Sequence, residues 1–372
     1  MKITIDQGAL LAELNLLQGI IEKKATLPIL SNVLLTAEEG GRLRLAATDL
    51  EIGFRSAVPA TVEEPGSTTV HARRLHEIVR RLPAGNLGFR LREGRLQIQM
   101  ERIRYNLATM DPAEFPALRE RKGDPSAEVE APVLADMIRR VVFAIAGEDP
   151  RYSIGGAKWE LESGGLTMVA TDGHRLARVR RPAGVRGKKP VEMVVPRKAL
   201  VELQRLAADA EDLVAVWPQE NSMFAEIAGR EVSTSLQEPR FPDYRKVIPQ
   251  ANDKVFTIGR EAFRKAIERV AVLSQEHTHL VKLELEEGTL RVSATSPHLG
   301  DAVEELEIEY PGPAFAIGFN AQYLLDFLAV AGTDRVRVAL GEAMGQGLFQ
   351  PLREDGADAG LLDDYVVMPM AL

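Results

Sequence analysis

The chain has no cysteine in 372 residues. That excludes a disulfide framework, thiolate metal sites and thiol catalysis, and it suits the reducing cytoplasm. Aromatic residues make up only 5%, so platforms for stacking bases are scarce. No apolar run reaches the roughly 18 residues that a membrane-spanning helix needs. The opening MKITIDQGALLAELN carries one lysine followed by strand-like alternation, and it does not read as a secretory signal. Phosphate loops are missing too. Gly155-Gly156 and Gly164-Gly165 are plain turn glycines, neither followed by the lysine and Ser/Thr that grip a phosphate. Six histidines are present, none in a helical pair with a carboxylate that would suit a metal. A hydrolase would have neither nucleophile nor cofactor cradle, and no cofactor or metal is expected.

What the chain does have is core material, at 45% hydrophobic residues, and an internal repeat. Val70 to Pro83, Val195 to Ala207 and Phe319 to Val330 each read as a strand end, a short polar turn and an amphipathic helix. Their equivalent positions His71, Pro196 and Asn320 are 125 and 124 residues apart. LRLAATD from Leu43, LTMVATD from Leu166 and LRVSATS from Leu290 are 123 and 124 apart, and each follows a glycine turn. Helix patterns recur at Ala9 to Ile21, Pro132 to Ala146 and Arg260 to Leu273, and Glu114-Phe-Pro returns as Arg240-Phe-Pro. A period of 124, one third of the length, is too long for a solenoid unit. It implies three globular domains of one fold, at 1–121, 122–250 and 251–372, with polar, turn-rich joints near Arg121 and Pro249. Each repeat carries two helices about half a period apart among short alternating strands. The expected class is α+β, each domain two β-α-β-β-β halves with helices packed on antiparallel sheets.

The net charge of −8 argues against a simple nucleic-acid binder, but its distribution matters more than its sum. Over the six expected helices there are fifteen basic and eight acidic residues, a net of +7 that leaves −15 on the strands and loops. In the helix at 71–82, Leu75, Ile78, Val79 and Leu82 form the apolar stripe, while Arg73, Arg74, Arg80 and Arg81 lie off it. On a single helix that is merely a solvated face. Repeated over helices of a threefold repeat, it makes a polyanion surface that touches phosphates without reading bases.

Seven stretches then carry a family resemblance, in order along the chain. They are TLPILSNVLL (Thr26 to Leu35), ATDLE (Ala47 to Glu51), ATDGHRLA (Ala170 to Ala177), VPRKAL (Val195 to Leu200), RFPDYRKVIP (Arg240 to Pro249), IGFNAQYLLD (Ile317 to Asp326) and YVVMPM (Tyr365 to Met370). With them the chain resembles the bacterial DNA polymerase III β subunits, the sliding clamps, over essentially its whole length.

The resemblance implies a non-enzymatic clamp. Two three-domain protomers would close head to tail into a ring around duplex DNA, tethering polymerases for processivity. Its implied partners are DNA without sequence preference, a second copy, a clamp loader, the polymerase III α subunit, and other polymerases or repair proteins that carry short clamp-binding peptides. By family position the peptide pocket takes Arg151, Ile154, Thr171, Gly173, His174, Arg175, Leu176, Pro242, Val247, Asn320, Tyr323, Met344, Val366, Val367, Met368, Pro369 and Met370. DNA contact falls to Lys24, Arg73, Arg80, Tyr152, Arg197 and Lys198, and the protomer contact to Arg104, Tyr105 and Leu107 against Val272 and Leu273. The sequence departs from the family pattern at Glu148, Ser153, Ala371 and the glycine-rich tract from Met344. His174 beside Asp172 invites a catalytic reading. The recurrence of ATD in two repeats, and of ATS in the third, favours a turn closed by the Asp side chain.

Overall fold

A computed structural model describes residues 1–22, 27–147, 154–186, 189–238, 240–353 and 360–372. The α-helices are α1 (Gln7–Leu17), α2 (Ala72–Arg81), α3 (Ala131–Val141), α4 (Arg197–Ala208), α5 (Arg260–Ala271) and α6 (Ala321–Val330). One strand precedes each helix and three follow it, with a short extra strand, Gly184–Val185, after α3. The α+β class and its β-α-β-β-β half-unit are therefore as the sequence implies. Among the described residues no helix is long and apolar enough to cross a membrane.

Local chemistry sets the helix ends. Helix α1 starts at Gln7, two residues before the expected Ala9, because the Asp6 carboxylate accepts the Ala9 amide at 2.8 Å and caps the first turn. It stops at Leu17 instead of Ile21. In the turn that follows, Gly19 packs against the Glu202 carboxylate, which a Cβ at that position would push aside. Helix α3 stops at Val141 and tightens into a 3-10 turn, Val142–Ala144, short of the expected Ala146. Helix α2 buries Ala72, Leu75 and Val79, and α4 buries Ala199, Leu200, Leu203, Leu206 and Ala207. Each such leucine contributes roughly 1.5–3 kcal/mol by leaving water.

The chain packs as two compact units, Met1–Leu134 with Lys198–Leu236, and Ala135–Arg197 with Gln237–Leu372. The middle repeat is thus shared between them. In the first unit the strands pair in the order Lys2–Asp6, Asn86–Arg92, Arg95–Met100, Ile103–Met110, Gly66–His71, Asn32–Glu38, Arg42–Thr48, Ile52–Glu64, Arg230–Ser235, Ser222–Ile227, Leu213–Gln219, Ala127–Glu130. Lys2–Asp6 also pairs with Ile52–Glu64. In the second unit one sheet runs Val191–Pro196, Gly156–Glu162, Gly165–Thr171, Arg175–Arg181, Leu362–Val367, Gly347–Leu352, Arg335–Leu340, Lys254–Gly259. A separate four-stranded sheet runs Gly300–Glu307, Thr289–Ser296, Leu280–Glu286, Phe315–Asn320.

Two seams join one repeat to the next by the same rule. The last strand of a first half pairs antiparallel with the last strand of the following repeat's second half. Ile52–Glu64 meets Arg230–Ser235 in the first unit, and Arg175–Arg181 meets Leu362–Val367 in the second. The rule leaves two strands over. Gly300–Glu307 ends its sheet, and Ile103–Met110 is paired on its second side only at Thr109 and Met110.

Candidate functional site: an apolar cleft in the second unit

The ATD turn is a structural device, as its recurrence suggested. Asp172 Oδ1 accepts the amides of His174 and Arg175, each at 3.0 Å, while the Thr171 hydroxyl donates to the Arg175 carbonyl at 2.7 Å. Asp49 and Thr48 repeat the arrangement in the first unit, with Ile52 in the place of Arg175. A carboxylate held this way closes a loop.

Arg175 leaves this turn for the interior. Its Nε donates to Asp172 at 2.9 Å, one terminal nitrogen to Asp326, and the other to the Phe143 carbonyl at 2.7 Å. The guanidinium lies 4.4 Å from the centre of the Tyr323 ring and 5.4 Å from that of Phe143. Held on all sides, Arg175 becomes a fixed wall.

That wall belongs to a cleft of about 320 Å³ lined mainly by apolar atoms. Of the residues assigned by resemblance, Ile154, Thr171, Gly173, Arg175, Leu176, Pro242, Val247, Val366 and Met368 line it. The strand register explains the meeting of distant segments, because Leu176 pairs with Val366. The Met368 amide then donates to the His174 carbonyl at 2.8 Å, which ties the tail along the rim.

Other assigned residues stand differently. Val367 is buried in the sheet. Asn320 caps α6, accepting the Gln322 amide at 2.9 Å, and donates to the Thr278 carbonyl. Tyr323 supports Arg175 from behind, and His174 contributes its backbone. Met370 bridges to Gly318 through its amide. Pro369 and the exposed Met344 are not among the lining residues. Arg151 lies outside the described residues.

Asp172, Tyr244 and Gln346 line the cleft and were missed. Tyr244 stands between two assigned residues, Pro242 and Val247, and is the one aromatic there; that was the available signal. Gln346 falls in the glycine-rich tract, where the sequence offered none.

The basic candidates are spread over both units. Arg80 and Arg197 are exposed and Arg73 is half-buried. Lys198 is ion-paired with the buried Asp49 carboxylate. Lys24 and Tyr152 lie outside the described residues. Arg104, Tyr105 and Val272 are exposed, with Leu107 and Leu273 half-buried. Among the described residues no His, Cys, Asp and Glu group could hold a metal ion.

A repeated strand-and-helix fold with a walled apolar cleft is the architecture of a protein that binds other molecules. Family models for the N-terminal, central and C-terminal domains of the DNA polymerase III beta subunit match residues 1–119, 128–243 and 245–370. A beta sliding clamp of Pseudomonas putida is 37% identical over 377 residues, and one of Escherichia coli K12 is 34% identical over 375, each match covering 100% of both chains. The crystal structure of the DNA polymerase III subunit beta from Pseudomonas aeruginosa superposes with a TM-score of 0.94 at 36% identity, again over 100% of both. The chain belongs to the DNA polymerase III beta subunit family, the beta sliding clamps. Its role is that of a DNA sliding clamp in replication, a processivity factor and not a catalyst.

Proposed function

We propose that two copies of this chain, each of three domains at 1–121, 122–250 and 251–372, close head to tail around duplex DNA in the cytoplasm. They hold partner proteins there through the cleft. The observation that carries the assembly is the pair of strands that the seam rule leaves over. The seam rule predicts that Ile103–Met110 of one protomer takes Gly300–Glu307 of the other, hiding both edges at once. Composition supports the match. One strand reads IRYNLATM and the other GDAVEELE, cationic against acidic. Ile103, Tyr105, Val272 and Val303 are all exposed apolar residues near these edges, and an apolar side chain left in water at a strand edge invites a partner. Arg104, Tyr105 and Leu107 then meet the segment that carries Val272 and Leu273.

DNA is held by phosphate contacts from Lys24, Arg73, Arg80, Arg197 and Lys198, with Tyr152 beside them, and without sequence preference. The cleft takes a short Gln-, Leu- and Phe-containing peptide of the polymerase α subunit, of a clamp loader, or of other polymerases and repair proteins. Apolar walls receive the anchors, while Met368 offers a wall that adapts to several partners.

The experiment is retention on circular duplex. Protein loaded on a closed circle should stay through a high-salt wash and run off once the circle is cut. Retention that survives linearisation would rule out encirclement. Light scattering at micromolar concentration should give the mass of a dimer.

A further inference from the structure

Tyr244 is 2% exposed, yet it is one of the residues that line the cleft. Its hydroxyl donates to Glu160 Oε2 at 2.7 Å. Glu160 is itself buried and also receives Lys158 at 2.9 Å and Arg245 at 3.2 Å. Cations flank the ring as well, with Lys158 Nζ 5.9 Å and the Arg178 guanidinium 6.0 Å from its centre. Burial pushes the Tyr244 hydroxyl up to about 12, and the bond to Glu160 adds to the rise, so it stays a donor at any working pH.

The first repeat shows what the place looks like without this clasp. Equivalence follows from the strand pairings. Glu160 opposes Thr167 as Thr36 opposes Arg44, and Val169 opposes Arg178 as Ala46 opposes Arg55. Phe115-Pro116 corresponds to Phe241-Pro242, which sets Leu118 in the place of Tyr244. Thr36, Ala46, Arg55, Phe115, Pro116 and Leu118 all line one cavity of about 270 Å³. Where the second repeat has a clasped aromatic ring, the first has a leucine, a threonine and open space.

We infer that Tyr244, positioned by Glu160, closes the floor of the cleft and so sets the size of the apolar side chain the cleft accepts. This rests on the cleft being the peptide site. A ring fixed at its hydroxyl end cannot swing aside, so an anchor too large for the cleft is refused. A leucine in its place would open the floor toward the space seen in the first repeat.

The test is calorimetry on the full-length protein with three synthetic pentapeptides. They are Gln-Leu-Ser-Leu-Phe, the same peptide with Trp for Phe, and the same with Phe for its second Leu. Tyr244→Leu should improve the affinity of an enlarged peptide relative to the parent by about tenfold, the scale of a change in pocket size. Tyr244→Phe, which keeps the ring but loses the bond to Glu160, should rank the peptides between the wild type and the leucine variant. Tyr244→Met gives the same readout at smaller size should the leucine variant fail to fold. Unchanged rankings in a folded Leu or Met variant would overturn the inference. Failure of the wild type to bind the parent peptide would instead strike at the cleft reading itself.

Discussion

Arg55 faces Glu231 across the seam between Ile52–Glu64 and Arg230–Ser235, donating at 2.8 Å, and Arg178 faces Asp364 at the equivalent place in the other unit. A directly opposed Arg–carboxylate pair thus marks each seam inside the chain. On the two strands left over the equivalent positions are Arg104, by its pairing with Gln99, and Val303, by its pairing with Ser293. The charge is moved, not lost. Opposite Arg104 the carboxylates of Asp301 and Glu305 would lie two residues either side of Val303, within diagonal reach in an antiparallel pair. Arg104→Glu should set like charges there and raise the dimer dissociation constant about tenfold or more in analytical ultracentrifugation. The defect should shrink at ~1 M salt, where charges are screened. A dimer unaffected at low salt would show that these strands do not pair.

The basic helix faces are not equivalent. Arg197 is exposed, but Lys198 is spent on Asp49, a buried carboxylate whose other oxygen already caps the turn at Glu51 and Ile52. Each phosphate contact removed should flatten the salt dependence of DNA affinity by about 0.9 in log–log slope. Arg73→Ala and Arg197→Ala should each approach that value and Lys198→Ala fall well below it, measured by fluorescence anisotropy from ~50 to ~200 mM salt. Equal slopes for Lys198→Ala and Arg197→Ala would mean that Lys198 leaves Asp49 to meet DNA.

Much of this was legible in the residues. The 124-residue period placed all six helices, because amphipathic stripes such as Leu75 with Val79 report burial directly. Helix ends were legible only where the local chain decides them. The Asp6 cap is a local device, yet the apolar pattern alone set the expected start at Ala9. The contact of Gly19 with Glu202, in the turn after Leu17, joins residues remote in sequence. The cleft divides in the same way. Thr171 to Leu176 and Val366 to Met368 sit in distinctive stretches, while the role of Tyr244 depends on Glu160, 84 positions away. The seams were not legible as partners at all. Nothing in the alternation of Arg175–Arg181 names Leu362–Val367 as its neighbour.

Glu202 predicts a pH effect on stability. Burial raises its carboxyl above the ordinary value, against the opposing influence of Arg205 and Lys198. The folded protein therefore holds this proton to higher pH than the unfolded chain does. Its stability falls as pH rises from the ordinary carboxylate range through the raised folded value. Glu202→Gln removes that loss. Arg205 gives up an ion pair at 2.8 Å, but its side chain is 40% exposed and such a pair is worth under about 1 kcal/mol. The substitution should raise Tm more at about pH 8 than at about pH 4. Thermal melts showing an equal or larger gain at the acid end would refute it.

The C-terminal tail gives the sharpest test of the cleft. Strand Leu362–Val367 is locked into its sheet, with Leu348 and Leu176 both opposite Val366. Beyond it the chain is held by two backbone bonds, Met368 to the His174 carbonyl and Met370 to the Gly318 carbonyl, each 2.8 Å. Met368 lines the cleft and is 38% exposed, so an apolar side chain waits half in water. Met370 is not among the lining residues. The two methionines should therefore separate. Met368→Ala should weaken a Gln-Leu-Ser-Leu-Phe peptide by about tenfold, the cost of one lost apolar wall, while Met370→Ala changes it little. Deleting Met368 to Leu372 should abolish binding and leave the dimer intact, since Ile103–Met110 and Gly300–Glu307 take no part in the tail's contacts. Wild-type protein should bind one peptide per chain. Undiminished affinity in the truncated dimer would exclude the tail from the site, and equal losses at Met368 and Met370 would show that it acts as a strap and not as a wall.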